Sequence, residues 1–319
     1  MSSLPKVTLF ALGGTISAHH DDRLELCQYK SGHYSGADFL SALPELSALA
    51  DIDIVQLNNI SSTAIDESHW FDLKQRIEQS LLGSDAVVIT HGTNTLEETA
   101  FFLHLTLNTD KPVVMTGAQK PFSALGSDAY FNLLNSVRVA LCPQAIGQGV
   151  LVVANDKIYS ARDVSKTHTY YLETFQAPNN GPLGRIEANQ QVNFMHRSIA
   201  THKTEHCFHH LNQPERIPYI AIIYSYAGAD QRMIEALLLH TQLDGLVIAG
   251  TGAGRCSPLE ASALLKVRER GIPVVMSSRV GAGAVLPLNG YQHLDLITLD
   301  DLPPQKARIW LLLHVLSTN

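Results

Sequence analysis

The stretch Asp85-Ala-Val-Val-Ile-Thr-His-Gly-Thr-Asn-Thr-Leu-Glu-Glu-Thr-Ala100 decides the fold. Ala86 to Ile89 is a short apolar run rich in β-branched residues, the composition of a strand buried on both faces. Leu96, Ala100, Leu103 and Leu107 then recur at helical spacing, so a strand runs straight into a helix. Thr95 stands three residues before Glu98, a capping-box pattern that starts the helix at Leu96 and leaves His91 to Asn94 as the connecting turn. In a parallel α/β sheet that turn lies beyond the carboxyl end of a strand, where such folds bind ligands. Taken alone, Gly-Thr-Asn-Thr is equally ordinary turn and N-cap chemistry. A second turn changes the balance. Val7 to Leu12 is another apolar strand, and it ends in Gly13-Gly14-Thr15-Ile16-Ser17. Two threonine turns point to a hydroxyl nucleophile with helpers.

Working outward, strand patterns at Lys6–Leu12, Ile52–Leu57, Ala86–Ile89, Pro112–Thr116 and Val150–Ala154 alternate with helical patterns at Ser35–Ser47, Ser68–Leu81, Leu96–Leu107 and Ser127–Ala140. Such alternation predicts a doubly wound, mostly parallel sheet with helices on both faces. Between Asn193 and Arg216 the chain turns polar and histidine-rich, and Pro214 and Pro218 follow, which reads as a linker. Beyond it, strands are predicted at Tyr219–Tyr224, Gly245–Ile248 and Pro273–Ser277, with helices at Gln231–His240, Pro258–Arg270 and Pro304–Leu316. The expected organisation is an N-terminal α/β domain over 1–192, a linker over 193–216 and a smaller α/β domain over 217–319. Two domains also suit the length, because 319 residues exceed what one core usually holds.

Composition narrows the partners. Only 17% of residues are charged, the net charge is −7 and there is no Lys/Arg block, so nothing favours nucleic acid or a membrane surface. A small-molecule ligand is expected. No apolar run approaches the roughly 20 residues of a membrane span. Met1 to Lys6 lead into the first strand without the basic and apolar regions of a signal peptide, so a cytoplasmic location is expected. Cys27, Cys142, Cys207 and Cys256 are widely spaced and form no CxxC, which predicts reduced, partly buried thiols. His202, His206, Cys207, His209 and His210 crowd one segment, but they match no closed zinc pattern, and no metal is expected. The glycine run Gly250-Thr-Gly-Ala-Gly254 fails the dinucleotide pattern because its third glycine falls one residue early.

With these residues in view, the chain resembles the bacterial-type L-asparaginase (asparaginase/glutaminase) family over nearly all its length. Ala11-Leu-Gly-Gly-Thr-Ile-Ser17 is similar to the family's first signature and Thr90-His-Gly-Thr-Asn-Thr-Leu-Glu-Glu-Thr-Ala100 to its second. Further similar stretches are Lys111–Ala118, Gly149–Asp156, Gly181–Gly184 and Ser277–Val280. The resemblance implies a cofactor-free amidohydrolase that releases ammonia from a short side-chain amide through an acyl-enzyme. It places the nucleophile at Thr15 on a mobile loop, with Tyr29 closing over it, although by sequence alone Tyr29 reads as a surface aromatic. It makes Thr93 and Lys166 the second catalytic group, where an isolated lysine would otherwise be a solvated charge. A lysine desolvated beside a hydroxyl acts as a base, because burial disfavours its ammonium form. Backbone N–H groups at Thr15 and at the Thr93–Asn94 turn are the implied oxyanion donors. The Ala118 carbonyl would meet the substrate amide, and Ser62, which reads equally well as a cap or turn hydroxyl, would hold its α-carboxylate. The resemblance also implies a homo-oligomer, a dimer or tetramer, with sites shared between chains.

Departures from the family pattern bear on the substrate. Asn94 stands where the family has an aspartate that pairs with the lysine and grips the substrate's α-ammonium. Thr63 replaces the usual neighbouring donor, and Gly281–Tyr291 contains no glutamate to match the second ammonium ligand. Two rival readings follow: hydrolysis of a related amide lacking a free α-ammonium, or a catalytically silent binding protein.

Overall fold

The structure is a computed structural model that describes residues 4–198 and 208–318. It divides into two compact units, Met1–His209 and His210–Asn319. In the first, β1 (Lys6–Gly13), β2 (Asp51–Ile60), β3 (Ala86–Thr90), β4 (Val113–Thr116) and β5 (Val150–Ala154) lie in the order β2-β1-β3-β4-β5, all parallel. Every residue of β3 and β5 is buried, which accounts for their unbroken apolar runs. Burial of side chains such as Val87, Val88 and Ile89 stabilises the sheet by ~1.5–3 kcal/mol each.

Helices α1 (Gly36–Ala42), α2 (Glu45–Leu49), α3 (Glu67–Ser80), α4 (Leu96–Thr106) and α5 (Ala129–Ala140) connect these strands. The single helix expected over Ser35–Ser47 is two, broken at Leu43 and Pro44. Proline lacks the N–H and restricts the residue before it, so the break has a local cause. Helix α4 starts at Leu96 as its apolar spacing predicts, and Leu96, Ala100, Leu103 and Leu107 are all buried. The predicted capping box does not form. Thr95 makes no side-chain cap; its φ/ψ of −122°/16° lies outside the extended region a capping hydroxyl needs, and Oγ1 donates instead to the Ser62 carbonyl at 2.8 Å.

Antiparallel strands extend the sheet beyond β5: β6 (Lys157–Ser160), then β9 (Gly184–Ile186) and β10 (Val192–Phe194), the last running past residue 192. Between β6 and β9 the chain forms a separate short ladder, β7 (Ser165–Lys166) with β8 (Phe175–Gln176). The second unit has a parallel sheet of β11 (Ile220–Tyr224), β12 (Gly245–Gly250), β13 (Val274–Ser278) and β14 (Ile297–Thr298). Helices α6 (Arg232–His240) and α7 (Pro258–Glu269) supply Ile234, Leu238, Ala263, Leu264 and Val267 to its core, and α8 (Pro304–Thr318) also packs on this sheet. The architecture is therefore α/β twice over, with a large mostly parallel sheet followed by a smaller one. Cys27 is exposed rather than partly buried, Cys142 and Cys256 are half-buried, and His202, His206 and Cys207 lie outside the described residues.

In the order β2-β1-β3 the chain leaves β1 for one side and returns to the other, so a switch point lies between β1 and β3. Both threonine turns fall there. They touch backbone to backbone: a Cβ on Gly14, whose φ is +86°, would lie 2.2 Å from the Gly92 Cα. Gly14→Ala is therefore expected to lower the unfolding free energy by about 2–4 kcal/mol in a urea titration. An unchanged midpoint would show that the two turns separate at little cost.

Candidate active site

Thr15 opens a 3₁₀ turn, Thr15–Ser17, directly after β1. Its Oγ1 lies 2.9 Å from the Tyr29 hydroxyl, which is brought back by a loop whose base is pinned through paired hydrogen bonds between His19 and Lys30. Thr93 follows β3 and is 4% exposed. Lys166, half-buried on β7, donates from Nζ to Thr93 Oγ1 at 2.8 Å and reaches Asn94 Oδ1 at a longer 3.4 Å. Burial pushes the Lys166 ammonium below its ordinary pKa, and the charge of Glu97 opposes that shift. A lysine so placed gives up its proton more readily than one in water.

The turn that carries Thr93 is braced from behind. Trp70 Nε1 donates to Thr99 Oγ1, Thr99 Oγ1 donates to His91 Nε2, and His91 Nδ1 donates to the Gly92 carbonyl, at 2.8, 3.0 and 2.8 Å. His91 is fully buried, and desolvation lowers its pKa to about 4, so it stays a neutral brace. The neighbouring turn after β4 is anchored as well: Asp128 accepts from the backbone N–H groups of Gln119 and Lys120, and Asn132 Nδ2 donates to the Gly117 carbonyl.

One cleft of about 600 Å³ gathers Thr15, Tyr29, Thr93, Asn94 and Lys166, with Leu26, Cys27, Glu97, Gln119 and the segment 167–170 completing its wall. Three of the eight residues singled out by sequence do not line it. Ser62 lies behind Gly92, 3% exposed, and its hydroxyl has no hydrogen-bond partner among the described residues. Thr63 is exposed and bonds Ser61 Oγ at 2.9 Å, while Ala118 is buried at the end of β4 with only its backbone to offer. Among the lining residues that the sequence did not single out, two carry buried polar groups. Gln119 has a buried Nε2 without a partner among the described residues, and Glu97 is a buried carboxylate whose Oε2 accepts from the Lys166 backbone N–H at 3.1 Å. The available signal was an acid in the first turn of a helix directly after a hydroxyl-bearing turn.

Two hydroxyls, one paired with a phenol and one with a half-buried lysine, follow the carboxyl ends of adjacent parallel strands, where α/β enzymes bind their substrates. Comparison with known proteins agrees. The family model described as Asparaginase, N-terminal matches residues 6–200, and that described as Glutaminase/Asparaginase C-terminal domain matches residues 219–319. The chain is 37% identical over 318 residues to L-asparaginase 2 of Bacillus subtilis (strain 168), covering 99% of this chain and 84% of the relative. It is 36% identical to the probable periplasmic L-asparaginase of Haemophilus influenzae, covering 100% and 90%. The crystal structure of a probable cytoplasmic L-asparaginase from Campylobacter jejuni superimposes with a TM-score of 0.92 at 36% identity, covering 99% of this chain and 96% of that one. The protein is an amidohydrolase. It belongs to the asparaginase family. Among the described residues no helix is long and apolar enough to cross a membrane.

Proposed function

We propose that the chain hydrolyses L-asparagine to L-aspartate and ammonia, with Thr15 as nucleophile. The observation that carries this reading is the 2.8 Å contact between Lys166 Nζ and Thr93 Oγ1 in the cleft that also holds the Thr15–Tyr29 pair. Neutral Lys166 acts as the base through Thr93, and Tyr29 orients the Thr15 hydroxyl. Thr15 Oγ1 attacks the amide carbon, and the proton it loses is delivered to the departing nitrogen, which leaves as ammonia. A water then gives a proton to Lys166 through Thr93 and attacks the ester; aspartate departs and Thr15 recovers its proton. Backbone N–H groups at Thr15 and the Thr93–Asn94 turn hold the oxyanion. The family resemblance gives the Ala118 carbonyl to the substrate amide and the Ser62 hydroxyl, flanked by Thr63, to the α-carboxylate; since Ser62 lies behind Gly92 and outside the cleft wall, with no partner among the described residues, that contact requires the turn to shift on binding. No step calls for a cofactor or a metal. A homo-oligomer, dimer or tetramer, and the cytoplasmic location named for the Campylobacter jejuni protein complete the reading.

One observation favours a second substrate. Glu97 is the sole carboxylate among the described side chains lining the cleft, and it is engaged with Lys166, while Asn94 is neutral. An amide without a free α-ammonium would suit such a wall. Purified protein offered L-asparagine, L-glutamine and an N-acylated asparagine is expected to release ammonia from L-asparagine. Release from the acylated amide alone would favour the second reading. Binding without release from any of the three would mark a silent binding protein and overturn both.

A further inference from the structure

We propose that Glu97 is a positioning residue for Lys166: its buried carboxylate fixes the lysine's backbone and supplies the negative charge that the Asn94 amide does not. The inference rests on Lys166 serving as the base. Lys166 sits on a two-residue strand, paired only with Phe175 and its neighbour in β8, a ladder too short to define a side chain's aim by itself. What fixes it comes from elsewhere. Glu97 Oε2 takes the Lys166 backbone N–H at 3.1 Å, and Thr93 Oγ1 takes Nζ at 2.8 Å. Both grips belong to the single segment 93–97, the turn after β3 and the first turn of α4. One rigid piece of chain therefore holds the lysine at both ends.

The location of Glu97 explains how a buried carboxylate persists there. It is 6% exposed and occupies the second position of α4, where the helix dipole favours an anion. Around Lys166 the other titratable groups of the cleft are Cys27, Tyr29, His168 and Tyr170. His168 is held by backbone N–H groups of Tyr170 and Tyr171 on its Nδ1 and stacks on Tyr171. Glu173, beside β8, is paired with Lys157. Glu97 is thus the carboxylate of the cleft placed to act on Lys166, and its charge holds the lysine's pKa up against the depression that burial causes.

The test measures Lys166 directly and needs no substrate. Competitive acylation of the intact protein across pH, read by peptide mass spectrometry, gives the midpoint at which Lys166 becomes a free amine. Glu97→Gln keeps an oxygen for the backbone N–H but removes the charge, and is expected to lower that midpoint by about one pH unit. Adding Asn94→Asp to that variant should raise it again. The acidic limb of kcat/KM for L-asparagine should move down with the midpoint, while Glu97→Ala, which loses both the charge and the acceptor for the Lys166 backbone N–H, should lower kcat by about tenfold or more with Glu97→Gln recovering most of the loss. Glu97→Asp keeps the charge but not the reach, so the midpoint should hold while kcat falls, which preserves the test if the glutamine variant folds poorly. An unmoved Lys166 midpoint in folded Glu97→Gln, or equal loss of kcat in the glutamine and alanine variants, would overturn the proposal. Failure of the parent to release ammonia from L-asparagine would instead count against the functional reading, and the acylation midpoint would still judge Glu97.

Discussion

Thr15→Ala is expected to yield a folded protein that releases ammonia from L-asparagine at least about a hundredfold more slowly than the parent, the scale of losing a nucleophile. The substitution removes the hydroxyl that meets Tyr29 at 2.9 Å but leaves the turn intact, because that turn is closed by the Thr15 carbonyl through Ala18. Folding should therefore be unchanged by circular dichroism and thermal melting. Thr93→Ala should cost a comparable factor for a different reason: Lys166 Nζ loses its 2.8 Å partner, and with it the proposed proton route between the reactants and the lysine. In the proposed mechanism the two threonines serve one sequence of bond changes, so the double variant should be little slower than the worse single one. Near-parental kcat/KM in either folded single variant would remove that threonine from the mechanism.

The second large effect is a gain. Asn94→Asp should raise kcat/KM for L-asparagine relative to an N-acylated asparagine by roughly ten- to a hundredfold, the worth of one charge-assisted contact of about 1.5–3 kcal/mol. Asn94 is exposed on the cleft wall, so an aspartate there can face an α-ammonium without rearrangement. The same carboxylate would raise the pKa of Lys166 and slow base catalysis on both substrates alike. Taking the ratio between substrates cancels that opposing effect. A common factor for both would mean that position 94 acts through the lysine and does not select the substrate.

How far the sequence carries the fold depends on where each element's signal resides. Strands β3 and β5 are legible because they are buried on both faces, so every residue but the terminal Thr90 is apolar. The edge strands β9 and β10 are three residues each, with an exposed middle residue, and leave no run to detect. Pro44 carried the break between α1 and α2, but the surrounding apolar spacing masked it. Thr95 misled for a tertiary reason: its hydroxyl is drawn away by the Ser62 carbonyl, 33 residues distant, and local capping rules cannot see that competitor.

The site divides along the same line. Thr15 and Thr93 are readable because each follows its own strand, and glycine before a threonine at a strand's carboxyl end is a local pattern. Tyr29, Lys166 and Ser62 carry no such local pattern and stood out only through the family resemblance. Glu97 was hidden although it lies inside the deciding stretch, since its partner is 69 residues away on a strand too short to predict. His91 likewise reads as one turn residue among several until Trp70 and Thr99 are found behind it.

The claim most exposed to a single measurement is that Thr15 carries the acyl group. Parent protein mixed with L-asparagine, quenched in acid within the first turnovers and digested, should give a peptide containing Thr15 heavier by one aspartyl residue, and that adduct should be absent from Thr15→Ala. An aspartyl ester on Thr93 instead, or rapid ammonia release with no adduct on either threonine, would contradict the account.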